Sequence, residues 1–212
     1  MSMSTAFQEK SSTIRRAPRG QSFIEAMVAI SVIVSSISSS LGLVQSSITA
    51  TINGGTQVVA ANLAREGMEV VRAMRDTNWL KSRSFQVGLV DAGGVKTARP
   101  LLDPASGAWS LSFAATSLTA ADAAVYVRMD GVYLQADAQP SGSSISPYAR
   151  VIMLQHLCRD DSSGAERAVG GTDTCLGSEM LVGLLASSTV RWRGVGGKFQ
   201  TLTVEERLYD WR

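Results

Sequence analysis

The stretch RGQSFIEAMVAISVIV, residues 19–34, begins a long apolar run in which Glu25 is the single acid. From Phe23 to Val44 the only charged residue is Glu25. About 22 helical residues at about 1.5 Å each reach roughly 33 Å, which matches a hydrocarbon core of about 30 Å. The stretch therefore predicts one membrane-spanning helix with a carboxylate near its start.

The charges around this helix predict its direction in the membrane. Residues 1–20 contain four basic residues and one acid, a net charge of +3, which leaves −1 for the remainder of a chain whose total is +2: Lys10, Arg15, Arg16 and Arg19 against Glu9. After Glu25 no charged residue follows until Arg65. Positive flanks stay in the cytoplasm, so we expect residues 1–20 inside and the rest exported. The basic residues lie in one short segment, and no nucleic-acid-binding patch is evident.

Two stripes at helical spacing run along the apolar helix. One is apolar (Ile30, Ile33, Val34, Ile37, Leu41, Val44), and the other is small (Ser31, Ser35, Ser38, Ser39, Gly42). Small residues four apart allow close helix packing, and we interpret the second stripe as a packing face. The alternative is a weak anchor whose hydroxyls bond back to carbonyls of their own helix.

The presence of an acid, Glu25, inside the predicted membrane segment needs a physical explanation. An ionised residue inside a membrane segment has a free-energy cost, and it is a functional hypothesis by default, with a partner to be found. An ordinary secretory signal, cleaved near Ser38-Ser39-Ser40, is the alternative interpretation. It leaves the acid unexplained.

The order of basic residues, Gly20, Gln21-Ser22-Phe23-Ile24-Glu25 and an apolar helix resembles the type III signal of type IV prepilins and pseudopilins. In that family a glycine precedes the cleaved bond and a glutamate occupies the fifth mature position, as Gly20 and Glu25 do here. The resemblance implies that prepilin peptidase cleaves between Gly20 and Gln21 and methylates the new amine of Gln21. It implies that Glu25 pairs with the terminal amine of a neighbouring subunit.

The resemblance also carries expectations about partners and location. The family usually has phenylalanine at the first mature position, where this chain has Gln21 and places Phe23 two residues later. The implied partners are other pilin-like subunits through the N-terminal helix, prepilin peptidase, the inner-membrane assembly platform and membrane lipid. The implied location is a single-pass inner-membrane state, followed by an extracellular or periplasmic filament.

The segment VVAANLAREGMEVVRAMRDTNWL, residues 58–80, predicts the second half of the helix. We expect the helix to continue past Asn53-Gly54-Gly55, although two glycines weaken it by roughly 1 kcal/mol each, and to end near Asn78. Spacing predicts two solvent-facing ion pairs, Arg65 with Glu69 and Arg72 with Asp76, and an inward stripe: Val59, Leu63, Gly67, Val70, Val71 and Met74. The segment also resembles one group of bacterial minor pilins through Asn62 to Ala64, Glu66-Gly67, Val71-Arg72 and Arg75 to Trp79.

From about Phe85 the pattern changes to short alternating runs, which indicate strands. Asp130-Gly131 predicts a two-residue hairpin turn. Residues 148–155 predict another strand, and residues 188–211 a hairpin across Gly194 to Gly197, with one shared apolar face: Val190, Trp192, Leu202 and Val204. The expected fold is α+β and pilin-like, a long N-terminal helix on a small antiparallel sheet. The expected division is a leader (1–20), a membrane or filament-core half (21–44), a sheet-packing half (45–80) and a β-rich head (81–212).

Residue types that carry chemistry are few. We expect Cys158 and Cys175 to lie in a Gly, Ser and Asp-rich loop, and to be either reduced or, in an exported chain, paired in a disulfide whose closure is worth roughly 3 kcal/mol. Asp160, Asp161 and Asp173 fit no EF-hand spacing, and we interpret them as solvated. His156, the single histidine, is interpreted as a strand-end or loop residue. We predict no enzyme, cofactor or metal site, and we interpret four tryptophans as packing residues: Trp79, Trp109, Trp192 and Trp211.

Three functions remain open from the sequence. The first is a minor pilin of a type IV pilus-like filament, and the second is a pseudopilin of a type II secretion system. Pseudopilins of the major type often use a calcium site instead of a disulfide, so the cysteine pair favours the pilus. The third, from another class, is an exported binding or enzymatic domain with a conventional signal or membrane anchor.

Overall fold

The computed structural model describes residues 21–103, 105–113, 117–170 and 174–210, and of Gln21 it describes the backbone alone. One long α-helix, α1, precedes an antiparallel sheet. The helix is Gln21–Leu80, and the strands are β1 (Thr97–Leu102), β2 (Trp109–Ser112), β3 (Ala124–Arg128), β4 (Tyr133–Leu134), β5 (Ser143–Asp160), β6 (Glu166–Val169), β7 (Glu179–Arg193) and β8 (Phe199–Tyr209).

The chain divides into two compact units, one that ends at Thr49 and one that begins at Ala50. In the first, the described residues are helical, and the side chains from Ser22 to Ile48 are exposed. In the second, the remainder of α1 packs on the sheet. The predicted α+β arrangement of one long apolar N-terminal helix and an antiparallel sheet is thus confirmed. The helix runs through Gly54 and Gly55 as expected.

The long strand β5 organises the sheet. One of its edges pairs with β7, which in turn pairs with β8. Its other edge is shared by three short strands, β3, β1 and β6, while β4 extends β3 and β2 extends β1. Every pair is antiparallel, as the turn-separated alternating runs predict.

Two buried clusters join α1 to one face of the sheet. The first contains Met68 and Val71 of the helix with strand residues Ile152, Leu184 and Leu208. The second contains Ala60, Leu63 and Ala64 of the helix with Val125, Tyr148, Val190 and Trp192. The predicted inward stripe of α1 is buried or half-buried, and three further helix residues, Ala60, Ala64 and Met68, widen it. A stripe this wide is what a core-facing helix requires.

The two predicted hairpins are present, and one turn differs from its prediction. β7 and β8 are joined across Gly194 to Lys198, as expected. Between β3 and β4 the turn has three residues, Met129 to Gly131, because the Arg128 amide bonds to the Val132 carbonyl at 2.9 Å. Gly131 has a φ of +83°, the left-handed conformation that closes a three-residue hairpin loop. The predicted two-residue turn is wrong.

The predicted ion pairs on α1 are also wrong. Arg72 bonds to Glu69 and, at 2.5 Å, to Glu206 on β8. Asp76 pairs instead with Arg75, at 2.9 Å. Arg65 pairs with no acid among the described residues. The strand partner Glu206 cannot be inferred from helical spacing, because it lies 134 residues away in the chain.

Gly67 marks the closest approach of α1 to the sheet. A β-carbon at this position would lie 2.6 Å from the Ser188 hydroxyl oxygen and 3.3 Å from Cδ1 of Ile152. Ser188 is fully buried, and its hydroxyl has no hydrogen-bond partner among the described residues. The helix therefore needs glycine here to reach its packing distance.

Gly67→Ala is expected to lower the free energy of unfolding by about 1–3 kcal/mol, because the added methyl group overpacks this contact. Adding Ser188→Ala removes the obstructing oxygen and an unsatisfied hydroxyl. The double variant is expected to recover most of the loss, since alanine favours a helix over glycine by about 1 kcal/mol. Denaturant unfolding of the full chain in detergent measures both; equal stability of the single and double variants would contradict the close-contact explanation.

Candidate functional site

Glu25 is exposed on α1, near the start of its long apolar stretch. Each large apolar side chain from Phe23 to Ile48 is at least 56% exposed. In water such a surface is unfavourable, at roughly 25 cal/mol per Å² of apolar area. The helix up to Ile48 therefore requires a cover, which lipid or other apolar helices can provide.

No cation within the described part of the chain pairs with the Glu25 carboxylate. The helix positions from which a side chain could reach it, three or four residues away, hold Gln21, Ser22, Val28 and Ala29, none of which is basic. The next basic residue along the chain is Arg65. Within residues 21–64, therefore, no side chain can supply a positive partner for Glu25.

α1 is long and apolar enough to cross a membrane. Its backbone groups bond within the helix, the condition for any segment in hydrocarbon. The length and composition of α1 therefore support a single-pass membrane anchor near the N-terminus.

Three hydroxyls of the small-residue stripe bond to carbonyls of their own helix. Ser31 donates to the Met27 carbonyl at 2.8 Å, Ser35 to that of Val32 at 2.9 Å, and Ser39 to that of Ser35 at 2.8 Å. These bonds are the alternative to a packing face that the sequence left open, and they give each of these hydroxyls a hydrogen-bond partner within its own helix. A β-carbon on Gly42 would meet nothing within 4 Å in the isolated chain. Packing of this stripe against another helix stays a prediction.

The predicted processing site lies largely outside the described residues. Gly20 and the leader precede them, and Gln21, the first residue of α1, is described by its backbone alone. Cleavage after Gly20 and methylation of Gln21 stay predictions.

Cys158 and Cys175 form a disulfide, with their Cα atoms 5.5 Å apart. Cys158 is fully buried on β5, so its predicted position in a loop is wrong, whereas Cys175 precedes β7. The carboxylate of Glu179 lies within 4.8 Å of both sulfur atoms. Since the thiols are consumed in the bond, this trio offers no thiolate to a metal. The bond closes the segment between β5 and β7.

Glu179 holds this segment in a second way. It accepts bonds from the Arg167 guanidinium at 2.7 and 3.1 Å and from the Leu176 amide at 2.9 Å. The Arg167 bond, then the Leu176 bond, lowers the pKa of Glu179 below its usual value. The residues around the disulfide are therefore ordered by a bidentate ion pair as well as by the covalent link.

Removal of the disulfide by Cys158→Ser and Cys175→Ser is expected to lower the free energy of unfolding by roughly 3 kcal/mol, the chain-entropy value for a loop of this size. Thermal unfolding of the oxidised full chain, compared with the double variant, measures the loss. Addition of a thiol reductant should destabilise the parent and leave the variant unchanged. A variant as stable as the oxidised parent would contradict a stabilising role for the bond.

Of the three acids predicted to be solvated, Asp160 bonds to the turn that follows β5. The Asp160 carboxylate accepts bonds from the hydroxyls of Ser162 and Ser163, at 2.6 and 2.8 Å, and from both amides. These bonds, led by the Ser162 hydroxyl, lower the pKa of Asp160 to about 2. Asp161 is exposed, and Asp173 lies outside the described residues.

His156, Trp109 and Trp192 lie on strands, and Trp79 lies near the end of α1. His156 lies inside β5, four residues before its end, so the strand-end or loop interpretation is wrong. Trp192 is buried in the core, Trp79 packs against the first cluster, and Trp109 is half-buried on β2. Packing is thus confirmed for Trp192 and Trp79. Trp211 lies outside the described residues.

Sequence reasoning missed a buried polar network between the sheet and α1. Arg150 on β5 is 1% exposed and donates to the Leu63 carbonyl at 2.8 Å, to Glu66 at 3.1 Å and to the Gln135 side chain at 2.9 Å. Burial lowers the pKa of Arg150, and Glu66 opposes that effect. The available signal was an arginine at an inward position of the apolar run 148–154.

No protein-family model, curated protein or solved structure matches this chain.

Proposed function

We propose that this chain is a structural subunit of a type IV pilus-like filament, of the minor-pilin class. The observation that carries the proposal is Glu25, a carboxylate without a cationic partner in the described chain, at the start of an exposed apolar helix. The same helix continues to Leu80 and packs its second half on an antiparallel sheet. A binding or enzymatic domain on a conventional anchor needs no acid at that position.

Charge neutralisation supplies the mechanism. Cleavage after Gly20 creates a positively charged terminal amine at Gln21, on the cytoplasmic face. When the helix leaves the membrane for a filament core, the Glu25 carboxylate pairs with the terminal amine of a neighbouring subunit. Breaking a buried pair by removing one partner costs about 3–5 kcal/mol. The pairing therefore sets the axial register of each new subunit.

The remaining parts of the chain take supporting roles in this proposal. The apolar helix holds the subunit in the inner membrane through lipid contacts until the assembly platform extracts it. The small-residue stripe permits close helix packing in the filament core. The sheet and the disulfide-bonded segment form the outer surface.

Analysis of the mature N-terminus tests the proposal. The full chain is produced with and without an active prepilin peptidase, and its mass is measured. A start at Gln21 that depends on the peptidase is the expected result. A start near residue 41, or a retained leader in the presence of the peptidase, would favour the conventional signal or anchor instead.

A further inference from the structure

We call the second unit, which begins at Ala50, the sheet unit. One end of it combines exposed apolar side chains with unpaired positive charge. This end holds the β7–β8 hairpin, the start of β5 and the β3–β4 hairpin, which pairing brings level with one another. We call it the hairpin-end surface and define it by six residues: Met129, Arg191, Arg193, Val195, Lys198 and Phe199.

The apolar members of the hairpin-end surface project from the fold. Met129 is 95% exposed at the tip of the β3–β4 hairpin. Phe199 is 58% exposed, and Val195 is 47% exposed at the tip of the β7–β8 hairpin. None of the three belongs to either core cluster. Their exposure therefore has no explanation in the packing of the sheet unit.

The charged members surround Phe199. The guanidinium carbons of Arg191 and Arg193 lie 4.5 and 5.1 Å from the centre of its ring, and Lys198 precedes it in the chain. Among the described residues none of these three cations forms an ion pair, whereas nearby Arg128 is neutralised by Asp130 at 2.9 Å. The surface is a net +3 patch with an aromatic centre.

The hairpin-end surface lies beside the first residues of α1 that belong to the unit beginning at Ala50. The Val195 amide donates to the Asn53 side chain at 3.3 Å, and the Tyr148 hydroxyl donates to the Thr56 carbonyl at 3.2 Å. Two apolar side chains on this part of α1, Ile52 and Val58, are 50% and 60% exposed. In the chain, Asn53 follows Val44, the end of the predicted span, by nine residues.

We propose that the hairpin-end surface binds anionic phospholipid headgroups while the chain is anchored in the membrane. The three cations match lipid phosphates, and aromatic and aliphatic tips suit the membrane interface. This proposal rests on the membrane-anchored stage of the proposed function. It adds a second contact with the bilayer, which holds the sheet unit down until the subunit is extracted.

The test uses the full chain in vesicles of phosphatidylcholine, with or without phosphatidylglycerol, that contain a headgroup-attached spin-label quencher. Both native cysteines are in the disulfide, so one introduced cysteine accepts a fluorophore selectively. Val195→Cys reports on the proposed contact, and Ala165→Cys, in the β5–β6 turn, is the distant control. Ile37→Cys, with a quencher on the acyl chain, reports on the membrane anchor itself.

Phosphatidylglycerol is expected to increase quenching at position 195 and not at position 165. The charge reversals Arg193→Glu and Lys198→Glu together are expected to lower the ratio of bound to free sheet units by about 25-fold or more, since each of the two cations near an anionic surface contributes a factor of about five. The matched control reverses two exposed cations after α1, Lys81→Glu and Arg83→Glu, and should leave quenching unchanged.

Two results would overturn the inference while the anchor at Ile37 remains quenched. One is equal quenching at position 195 with and without phosphatidylglycerol, or in the charge-reversed variant. The other is quenching that follows the protein-to-lipid ratio rather than lipid charge, which would assign the surface to contacts between copies. An unquenched probe at position 37 would instead contradict the membrane anchor on which the proposed function depends.

Discussion

Glu25→Ala is expected to lower incorporation of this chain into filaments by about two to three orders of magnitude, the loss that follows when a buried pair keeps one unpaired charge. Cleavage of the leader should continue, because the peptidase acts before any subunit docks. Incorporation is measured as the fraction of the processed chain that sediments with sheared filaments. Retained processing separates loss of docking from failure of export.

Two further variants at the same position separate charge from shape. Glu25→Gln keeps the size of the side chain and removes its charge, and it should behave as the alanine variant does. Glu25→Asp keeps the charge on a shorter side chain and should incorporate better than either. If the glutamine variant assembled as the parent does, the carboxylate would have no electrostatic role in docking.

Arg150→Ala is expected to lower the free energy of unfolding of the sheet unit by about 3–5 kcal/mol, since a fully buried hydrogen-bonded cation is removed from its partners. Its guanidinium bonds to three groups: the Leu63 carbonyl and the Glu66 side chain on α1, and the Gln135 side chain after β4. Gln135 also donates to the Ala123 and Arg150 carbonyls, at 3.1 and 3.0 Å. Loss of the arginine therefore leaves several buried polar groups without partners.

The matched control is Arg159→Ala, on the same strand and exposed. A surface change of this kind usually alters stability by at most about 0.5 kcal/mol. Denaturant unfolding of the full chain in detergent, followed by tryptophan fluorescence, reports on both variants because Trp192 is buried in the same unit. If the Arg150→Ala chain were as stable as the Arg159→Ala chain, the buried polar network would not stabilise the fold.

The main elements could be predicted because their signals are local. The helix from Gln21 to Leu80 follows from apolar periodicity, and Gly54 and Gly55 do not interrupt it. The β7–β8 hairpin follows from alternation on either side of a glycine-rich turn. In each case the residues that decide the structure lie within a few positions of one another.

What could not be predicted depends on which strands become neighbours. Arg72 bonds to Glu206 instead of Asp76, and Arg99 on β1 bonds to Asp137. Such pairs join residues 134 and 38 positions apart, and nothing in either local sequence identifies the partner. Likewise, Gly67 could be assigned to the inward stripe, but its need for glycine comes from Ser188 on a distant strand.

The functional residues also separate into those that the sequence reveals and those that require the fold. Glu25 could be found from the sequence because one acid interrupts a long apolar run. The hairpin-end surface could not, since its residues come from separate hairpins that only the strand register brings together. A local pattern identifies an isolated anomaly, whereas a surface requires the fold.

The central claim is that Glu25 meets the terminal amine of a neighbouring subunit. Treatment of assembled filaments with a carbodiimide measures this directly, because the reagent joins a carboxylate to an amine in contact without leaving a spacer. Mass spectrometry of the digested filaments is predicted to find the Glu25 side chain joined to the N-terminal amine of another subunit. Filaments that contain this chain with Glu25 unlinked, and reactive toward an added soluble amine, would contradict the claim.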